Sequence, residues 1–481
     1  MAPKTNIMQE YGSIIGHDQV ASGQWLEIRN PYSGKLVGRV ASADKATTLQ
    51  TLERTRSAKV RLPRYERHDL LSSMADRLEK NAASVSRLIT DESGLCLKDT
   101  QYEVQRASDV LRFAAIRSLL DDSEVFPCDV SRVGRPRRIY TMRQPLHLSA
   151  AITPFNHPLN QVVHKIAPAI ATNNKTILKP SQLTPLSAYC IVQLALDCGM
   201  PEDMINVLSG PTEDVAEAIV TSPLVDMISF TGGTTTGKHI ASIAGYKRLV
   251  LELGGSSAML VLADADPAQA ANIAVAGVFK NSGQRCTAIR RLLVEESVAD
   301  EFTRLVAERV ASLKFGDPYD PTTDVGAVIS ERAAVEMERR VALSVELGAK
   351  VVIGHKREGA VYAPTVLDHV HNDHPVVACE TFGPVAPIIR FRTLDEAIQI
   401  ANDTEFGLSG AVVSNHWPSI QRVITELETG TVNVNEAPSY RLEWSPFGGI
   451  KSSGLGYKEG VIEAMRSMTY VKTYSLPWDQ P

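Results

Sequence analysis

The feature of this 481-residue sequence that most constrains its fold is the alternation of short apolar segments with amphipathic segments of helical period. The first alternating region runs from Leu148 to Gly255 and includes predicted helices at Pro158–Ala171 and Leu186–Cys198. Such alternation is typical of a parallel sheet with helices on both faces. The predicted strands of this region are Leu148–Thr153, Thr176–Lys179, Met204–Leu208, Met227–Thr231 and Leu249–Leu253.

A second alternating region extends from Ala258 to Asn435, and residues 44–120 are predicted to be largely helical. Two β-like segments, Arg137–Gln144 and Thr469–Ser475, stand apart from both regions. The chain is therefore predicted to be an α/β protein with two sheets and a separate β element. The second region is predicted to contain helices at Asp266–Lys280, Ser297–Leu313, Ser330–Leu347 and Ser419–Leu427 and strands at Arg291–Glu295, Lys350–Ile353, Gly410–Ser414 and Thr431–Asn435.

Charge and cysteine usage narrow the class of protein. A net charge of −5 gives no general attraction to nucleic acid or to an anionic membrane, and one basic run, Arg132–Arg138, is interpreted as a solvated or interface strand. No run of apolar residues approaches the length needed to span a membrane. The six cysteines form no CxxC pair, which argues against zinc and against a disulfide framework. A cytoplasmic protein without a metal site is therefore expected.

Two segments carry candidate chemistry. In NSGQRCTA (281–288), Cys286 directly follows Arg285, and a guanidinium beside a thiol favours the nucleophilic thiolate. In LELGG (251–255), Glu252 ends a predicted strand and is the right type of group to activate water. Ligands bind beyond the carboxyl ends of parallel strands, where Lys179 and Thr231 are also expected. A nucleophile and a base are sufficient to form an acyl intermediate and to hydrolyse it.

One motif favours a competing class of protein. GGTTTGKH (232–239) lacks only the final Ser or Thr of a phosphate-binding P-loop, and His239 cannot replace that magnesium ligand. A nucleoside triphosphatase is therefore the less favoured alternative. A strand, glycine turn and helix can also hold a dinucleotide pyrophosphate, because backbone N–H groups and the helix N-terminus attract anions. No GxGxxG motif is present.

The segments around Cys286 and Glu252 resemble those that carry the catalytic thiol and the general base in the aldehyde dehydrogenase superfamily, and the resemblance covers nearly the whole chain. It implies an α/β fold with two doubly wound open-sheet domains and a small β oligomerisation arm. Residues 1–124 and 146–254 would form the dinucleotide-binding domain and residues 255–449 the catalytic domain. Residues 125–145 and 450–481 would form the arm and tail of a homo-oligomer, either a dimer or a dimer of dimers.

The resemblance also implies a coenzyme site for NAD. At position 182, where many NAD-preferring members carry Glu, this chain has Gln182, so the charge that would repel the 2′-phosphate of NADP is missing and NADP is possible. Lys179 would reach the adenosine ribose, and Glu380 the nicotinamide ribose. The residues implied in coenzyme binding are Thr153, Pro154, Phe155, Lys179, Ser181, Gln182, Gly210, Phe230, Thr231, Gly232, Gly233, Thr236, Leu253, Gly254, Glu380 and Phe382.

Asn156 would stabilise the oxyanion together with the backbone N–H of Cys286, although an Asn before a helix is also a common cap. Four cationic or donor side chains, those of Arg106, His157, Arg285 and Arg441, lie on segments that border the substrate tunnel in the family and point to a small anionic aldehyde. This set resembles the phosphonoacetaldehyde dehydrogenases. Glyceraldehyde 3-phosphate is the second candidate substrate and a carboxylate semialdehyde the third. The residues implied in substrate binding are Arg106, His157, Arg285, Thr287 and Arg441.

Overall fold

The computed structural model describes residues 9–478, in which helices cover two seven-stranded sheets. Fifteen α-helices lie in this range, together with a π-helical turn at Thr212–Glu217 and a 3-10 turn at Lys280–Gly283. The helices are α1 Lys45–Ser57, α2 Arg64–Lys80, α3 Ala82–Ser93, α4 Leu97–Ser118, α5 Asn160–Ala171, α6 Leu186–Asp197, α7 Ala218–Thr221, α8 Thr234–Ile243, α9 Pro267–Phe279, α10 Glu296–Ala311, α11 Glu331–Glu346, α12 Pro375–Ala378, α13 Leu394–Asn402, α14 Trp417–Glu426 and α15 Val461–Ser467.

The strands fall into the two large sheets and several small ones. They are β1 Gln9–Tyr11, β2 Ser13–Ile15, β3 Asp18–Val20, β4 Trp25–Arg29, β5 Leu36–Ala41, β6 Val125–Pro127, β7 Arg137–Pro145, β8 Ser149–Ile152, β9 Thr176–Lys179, β10 Ile205–Val207, β11 Met227–Thr231, β12 Arg248–Glu252, β13 Ser257–Val261, β14 Ile289–Glu295, β15 Lys350–Ile353, β16 Arg357–Glu358, β17 Val361–Tyr362, β18 Thr365–Asp368, β19 Val385–Phe391, β20 Phe406–Gly407, β21 Ser409–Val413, β22 Thr431–Val434, β23 Ile450–Lys451 and β24 Thr469–Pro477.

The first sheet has the order β12-β11-β8-β9-β10-β2-β3, and its strands from β12 to β10 are parallel. The chain moves from β8 outward through β9 and β10, then returns to the other side of β8 for β11 and β12. This reversal places a topological switch point at the carboxyl end of β8, where ligands bind in such sheets. The doubly wound arrangement confirms the predicted fold class.

Successive residues of the first sheet enter two different cores. Ala151 and Leu178 pack into the core formed with α2 to α6, whereas Ala150 and Ile177 pack into the core formed with α1, α7 and α8. A strand that is buried on both faces must be apolar at every position, because its side chains alternate between the faces. This is why β8 and β9 are continuous apolar runs in the sequence.

The second sheet has the order β15-β18-β19-β14-β13-β21-β22 and is parallel except for β15. Its strands also alternate between two cores, since Leu260 faces one and Met259 the other. The nucleophile segment lies between α9 and β14, at the edge where the second sheet meets the first.

A third, three-stranded sheet of order β24-β7-β6 forms the arm. Strand β24 pairs antiparallel with β7 over nine residues and has no strand on its outer side within the described chain. The basic run at 132–138 is only partly the predicted strand, because residues 132–136 form exposed turns and β7 begins at Arg137. Turn residues Gly134 and Pro136 interrupt the run and end its strand character.

Several elements were not predicted from the sequence. The N-terminal strands β1 to β5 are short and only partly buried, so they lack the apolar run that marks the central strands of the sheets. Strands β18 and β19 and helix α13 lie in a region where turns and loops break the periodicity. Among the described residues, none of the helices combines the length and apolar character needed to cross a membrane.

Candidate active site

A cavity of about 540 Å³ opens at the carboxyl ends of β8, β9, β11 and β12. Cys286, Glu252 and Asn156 all line it, although they are far apart in the sequence. All the residues predicted to bind the coenzyme also line this cavity, except Gly210. The fold therefore brings the candidate catalytic groups and the candidate coenzyme residues to one place.

One end of the cavity contains the polar groups at the end of β9. Lys179 has no ion-pair partner among the described residues, and burial lowers its pKa to about 8. The amide of Gln182 donates a hydrogen bond to the carbonyl of Gly210, so Gly210 contributes by fixing that side chain rather than by facing the cavity. An unpaired lysine that is largely shielded from water is costly unless an anionic or hydroxyl-bearing ligand occupies the site.

At the other end, Glu380 approaches the turn that follows β12. Its Oε1 accepts a hydrogen bond of 3.1 Å from the backbone N–H of Gly255, and a Cβ placed on Gly254 would lie 2.5 Å from its Oε2. Glycine at 254 is thus required for the carboxylate to approach the backbone. Phe155 and Phe382 meet edge to face at 5.8 Å beside it and form an aromatic wall.

The segment that carries Cys286 has an unusual backbone. Asn281, Ser282 and Gly283 have φ values of 62°, 51° and 69°, and a Cβ on Gly283 would collide with the backbone carbonyl of Gly383. Left-handed conformations at non-glycine residues cost free energy and persist only where the surroundings hold them. We call residues 281–286 the nucleophile loop.

The buried guanidinium of Arg290 holds the nucleophile loop in place. It donates to the carbonyls of Gly283 at 2.6 Å, Arg285 at 3.0 Å and Gly383 at 3.1 Å. Arg290 thereby ties the nucleophile loop to the segment that presents Glu380 and Phe382. Sequence reasoning did not identify Arg290, because one Arg at the start of a strand gives no local sign of this role.

Asn156 is fixed against the same loop. Its Nδ2 donates to the carbonyl of Gln284 at 2.8 Å, and its own backbone carbonyl accepts from Asn281 Nδ2 at 3.0 Å. Because a carboxamide has two N–H donors, one donor of Asn156 remains for a negatively charged oxygen in the cavity.

The protonation of Cys286 differs from the expectation. Burial raises the pKa of the Cys286 thiol to about 12, and the nearby Glu252 carboxylate adds to this rise. Arg441 and Arg285 act in the opposite direction but do not overcome burial. The thiol form of Cys286 is therefore favoured at neutral pH, and adjacency to Arg285 does not produce the thiolate that the sequence suggested.

Glu252 is a buried carboxyl with no hydrogen-bond partner on either oxygen among the described residues. Burial raises its pKa, and the neighbouring Glu459 raises it further. Glu459 pairs with Lys165 at 2.7 Å, and Lys165 also donates to Ser229 at 2.9 Å. A carboxyl whose pKa lies above the usual range can exchange protons near neutral pH, as a general base for water must do.

The predicted substrate arginines lie beside this cavity rather than in its lining. Arg106 has a partner that the sequence did not reveal, because its guanidinium pairs with the buried carboxylate of Glu443. His164 also bonds Glu443, and Arg441 lies 3.9 Å from it. Although burial opposes ionisation, these three groups hold the pKa of Glu443 well below its usual range.

Arg441 differs from Arg106 in having an unsatisfied donor. Its guanidinium lies 3.9 Å from the centre of the Phe447 ring, and its Nη1 is buried without a hydrogen-bond partner among residues 9–478. Burial and the nearby Arg106 lower the pKa of Arg285 to about 10. Two guanidinium groups with incomplete neutralisation thus lie close to Cys286, and both lower the pKa of its thiol.

The two remaining predicted substrate residues are His157 and Thr287. Burial lowers the pKa of His157, and its Nδ1 lies 3.5 Å from Glu103, whose other oxygen accepts from the N–H groups of Leu159 and Asn160. Thr287 is buried directly after Cys286. Within the described residues no group of three metal-ligating side chains is present.

Comparison with known proteins identifies the family to which this chain belongs. The model of the aldehyde dehydrogenase family matches residues 19–474. This chain belongs to the aldehyde dehydrogenase family. The family, the enzyme class and the fold class predicted from the sequence are therefore confirmed.

Two curated relatives and one solved structure illustrate the similarity. The chain is 37% identical to aspartate-semialdehyde dehydrogenase 1 of Pseudomonas canavaninivorans, over 94% of this chain and 96% of the relative. It is 33% identical to 3-sulfolactaldehyde dehydrogenase of Priestia aryabhattai, over 96% of this chain and 97% of the relative. The structure of the NADP-dependent glyceraldehyde-3-phosphate dehydrogenase of Bacillus halodurans, complexed with NADP, superposes with a TM-score of 0.95 at 34% identity, covering 98% of this chain and all of that one.

The aldehyde dehydrogenase contains buried polar residues that sequence reasoning missed. Glu443 comes two residues after Arg441 in the chain but was not predicted, and Lys165 and Glu459 come from distant segments. A carboxylate within two residues of a candidate anion-binding Arg is the one local signal that could have identified Glu443. Nothing local marks Lys165 or Glu459, because their pairing arises only when α5 meets the loop before α15.

Proposed function

We propose that this aldehyde dehydrogenase oxidises a small anionic aldehyde to its acid through a cysteine thioester, with phosphonoacetaldehyde as the substrate that fits best. The observation that carries this proposal is the unsatisfied Nη1 of Arg441 beside Arg285 and Cys286. A buried donor without a partner is unfavourable, and an oxyanion on the substrate would satisfy it.

The chemistry follows from the positions of three side chains. The Cys286 thiol loses its proton to solvent water as its sulfur forms a bond to the aldehyde carbon, and the negative charge that develops on the aldehyde oxygen is stabilised by the free N–H of Asn156 and the backbone N–H of Cys286. The carbon then loses hydride and becomes a thioester. Glu252 takes a proton from a water molecule, which attacks the thioester and releases the acid and the thiol.

NAD or NADP supplies the acceptor for that hydride when bound, and the residues present fit such a group. The unpaired Lys179 and the Gln182 amide would hold the adenosine ribose, whereas Glu380 would hold the nicotinamide ribose between the β12 turn and the Phe155–Phe382 wall. The glycine turn at 232–233 precedes α8, whose N-terminus would face the pyrophosphate.

The names of three similar proteins support an anionic substrate. Aspartate semialdehyde, sulfolactaldehyde and glyceraldehyde 3-phosphate carry a carboxylate, a sulfonate and a phosphate, respectively, in addition to the aldehyde. Phosphonoacetaldehyde has its phosphorus two bonds from the reacting carbon, so its anion must lie near the nucleophile. Arg285 is adjacent to Cys286 in the chain, and Arg441 lies close enough to lower the pKa of its thiol.

Glyceraldehyde 3-phosphate remains the second candidate, because its longer spacer would still allow the phosphate to reach Arg441. A carboxylate semialdehyde is the third, since one carboxylate needs fewer donors. We also propose a homo-oligomer, a dimer or a dimer of dimers, because β24 offers an unpaired outer edge and exposed apolar side chains such as Val471.

The test compares kcat/KM for phosphonoacetaldehyde, glyceraldehyde 3-phosphate and succinate semialdehyde in the native enzyme and in Arg441→Ala. Removing one charge-assisted hydrogen bond to the substrate should cost about 1.5–3 kcal/mol, so we expect kcat/KM for the best substrate to fall roughly ten- to a hundredfold. Acetaldehyde carries no anion, and its kcat/KM should scarcely change.

Arg106→Ala provides a second, distinct prediction within the same test. Removing Arg106 leaves Glu443 with less compensation, so the residual negative charge should also oppose an anionic substrate. The matched control is Arg332→Ala, an exposed arginine on α11 outside the cavity. Equal losses for acetaldehyde and for the anionic aldehydes in Arg441→Ala would refute the anion pocket and leave only the general dehydrogenase activity.

A further inference from the structure

A second cavity of about 520 Å³ lies away from the active site and shares no lining residue with it. It is enclosed by the start of α2, the ends of α4 and α5, and the base of the arm at β7 and α15. Its most distinctive feature is six arginine side chains on its walls. We call it the arginine cavity, after Arg61, Arg64, Arg67, Arg117, Arg143 and Arg466.

The charges in the arginine cavity do not balance. Its lining includes two carboxylates, Asp121 and Asp122, against the six guanidinium groups, and Glu463 pairs with Arg466 at 2.8 Å, which leaves an excess of three positive charges. Arg64 pairs with Asp121 at 2.7 Å, and that pair is neutral. Asp122 is shared by three guanidinium groups, those of Arg117, Arg143 and Arg466. Because Glu463 already pairs with Arg466, Asp122 has to neutralise both Arg117 and Arg143, which one carboxylate cannot do.

Two further arginines of the cavity have no ion-pair partner within residues 9–478. Arg61 is exposed near Arg67, whereas Arg67 is only 9% exposed and donates to the carbonyls of Pro63 and Ala171. Burial, together with the nearby Arg64 and Arg61, lowers the pKa of Arg67 to about 10. A buried guanidinium that faces other cations is unfavourable unless an anion joins them.

Arg143 contributes a second unsatisfied group. Its Nε is buried and makes no hydrogen bond to any described residue, although Asp122 lies 3.7 Å away. Its Nη1 donates to Thr469 at 3.2 Å, which orients the guanidinium at the base of the arm. The cavity therefore contains an excess of positive charge and an N–H donor, Arg143 Nε, that has no partner among the described residues.

We propose that the arginine cavity is a binding site for the phosphate group of a small organic phosphate or for free phosphate. Guanidinium groups bind phosphate oxygens through paired N–H donors, and a doubly charged oxyanion would offset two of the three excess positive charges. A volume of about 520 Å³ is in the range of small-molecule sites, so an organic phosphate fits better than the free ion alone.

The probe for the test is radiolabelled inorganic phosphate in equilibrium dialysis against the full chain, at an ionic strength held constant with sodium chloride. The double variant Arg61→Gln and Arg143→Gln retains Arg67 and its bonds to the helix carbonyls, and its thermal unfolding shows whether it is folded. We expect it to bind phosphate at least tenfold more weakly than the native chain. Arg332→Gln, which removes an exposed arginine outside the cavity, should bind as the native chain does.

A second measurement separates this site from the proposed substrate pocket. Arg441→Gln should retain the phosphate sites of the arginine cavity, whether or not Arg441 recognises the substrate. Competition then identifies the source of the phosphate, since ribose 5-phosphate should displace the label at lower concentration than unlabelled phosphate if the ligand is organic. The free ion is the ligand if the order is reversed.

Two results would overturn the proposal. The first is a native phosphate isotherm in the folded Arg61→Gln, Arg143→Gln double variant. The second is loss of all phosphate binding in Arg441→Gln alone. A native isotherm accompanied by dissociation of the oligomer in the double variant would instead assign the arginines to an interface between subunits.

Discussion

At the scale of single residues, Cys286 and Glu252 illustrate how burial competes with neighbouring charge. Both groups lie in the same cavity, and burial raises the pKa of each above its ordinary value. Each negative charge also opposes the other, because Glu252 raises the pKa of the Cys286 thiol. The resting site therefore disfavours charge at the nucleophile and at the base, which protects an otherwise reactive thiol from side reactions.

This protonation state predicts how Cys286 reacts in the coenzyme-free enzyme. Because its pKa is raised to about 12, the thiolate fraction at pH 7 is very small and should rise about tenfold per pH unit. We expect alkylation of Cys286 by iodoacetamide to be slow at pH 7 and to accelerate steadily up to pH 9. Peptide mass spectrometry separates this reaction from that of the exposed Cys379. A rate that is already maximal at pH 7 would show that a stable thiolate exists.

Gln182 provides a prediction about the coenzyme at the same scale. Glutamate at this position cannot donate to the Gly210 carbonyl, and its charge would oppose a 2′-phosphate. We expect Gln182→Glu to raise discrimination against NADP while NAD remains usable, and we expect the native enzyme to prefer NAD. The measurement is the ratio of kcat/KM for the two coenzymes. An unchanged ratio in the variant would place the side chain away from the ribose.

At the scale of structural elements, β14 has two adjacent buried arginines with separate roles. Arg290 bonds the carbonyls of the nucleophile loop, whereas Arg291 bonds the carbonyls of Ser256, Ile400 and Ala401. Adjacent strand residues point to opposite faces, so one strand supports the nucleophile loop on one face and the end of α13 on the other. Strand β14 belongs to the second sheet and therefore fixes the nucleophile loop to that sheet.

The two arginines form a matched pair for experiment. Lysine in place of either arginine keeps the charge but loses the planar fork, so about 1–3 kcal/mol of unfolding free energy should be lost for each carbonyl left unpaired. Arg290→Lys should also lower kcat by tenfold or more, because the left-handed backbone of Asn281 and Ser282 can relax. Arg291→Lys should destabilise the fold to a similar extent with a much smaller effect on kcat. Equal effects on kcat would argue against a specific role for Arg290.

At the scale of the whole molecule, the arm is the part of the surface where a long strand, β24, has one edge without a partner strand among residues 9–478. Its three strands expose large apolar side chains, among them Val125, Phe126, Val471 and Leu476, with 45–52% of each exposed. Exposed apolar side chains on a strand with a free edge are typical of an interface between protein chains. This is the structural basis for proposing a homo-oligomer.

Introducing charged side chains on β24 tests whether the arm forms an interface between subunits. Val471→Glu and Leu476→Glu together place carboxylates on both faces of β24, so they should disrupt an interface made by either face. We expect light scattering to give the mass of a larger assembly for the native chain and a smaller mass for the double variant. Tyr246→Glu, which alters a fully exposed aromatic far from the arm in sequence, is the control and should leave the mass unchanged. A native chain that is monomeric at micromolar concentration would exclude the proposed oligomer.

The sequence by itself determined the fold class, the position of most buried strands and the segments of the catalytic groups. It did so because β8, β9 and β11 are apolar at most positions and are followed by polar residues, a local pattern that already indicates a doubly covered sheet. Family resemblance then assigned Cys286, Glu252 and Asn156 their roles, and all three line one cavity. The short, partly buried strands β1 to β5 carry no such local pattern and were not predicted.

Only the tertiary structure decided the charge state of the site. Arg106 looked like a free cation in the sequence, but folding brings it to Glu443, a partner 337 positions away. Arg285 stands next to Cys286 in every conformation of the chain, yet burial outweighs its charge and keeps the thiol protonated. Ion pairing and desolvation depend on distances and on exclusion of water, and both are set by segments far apart in the sequence.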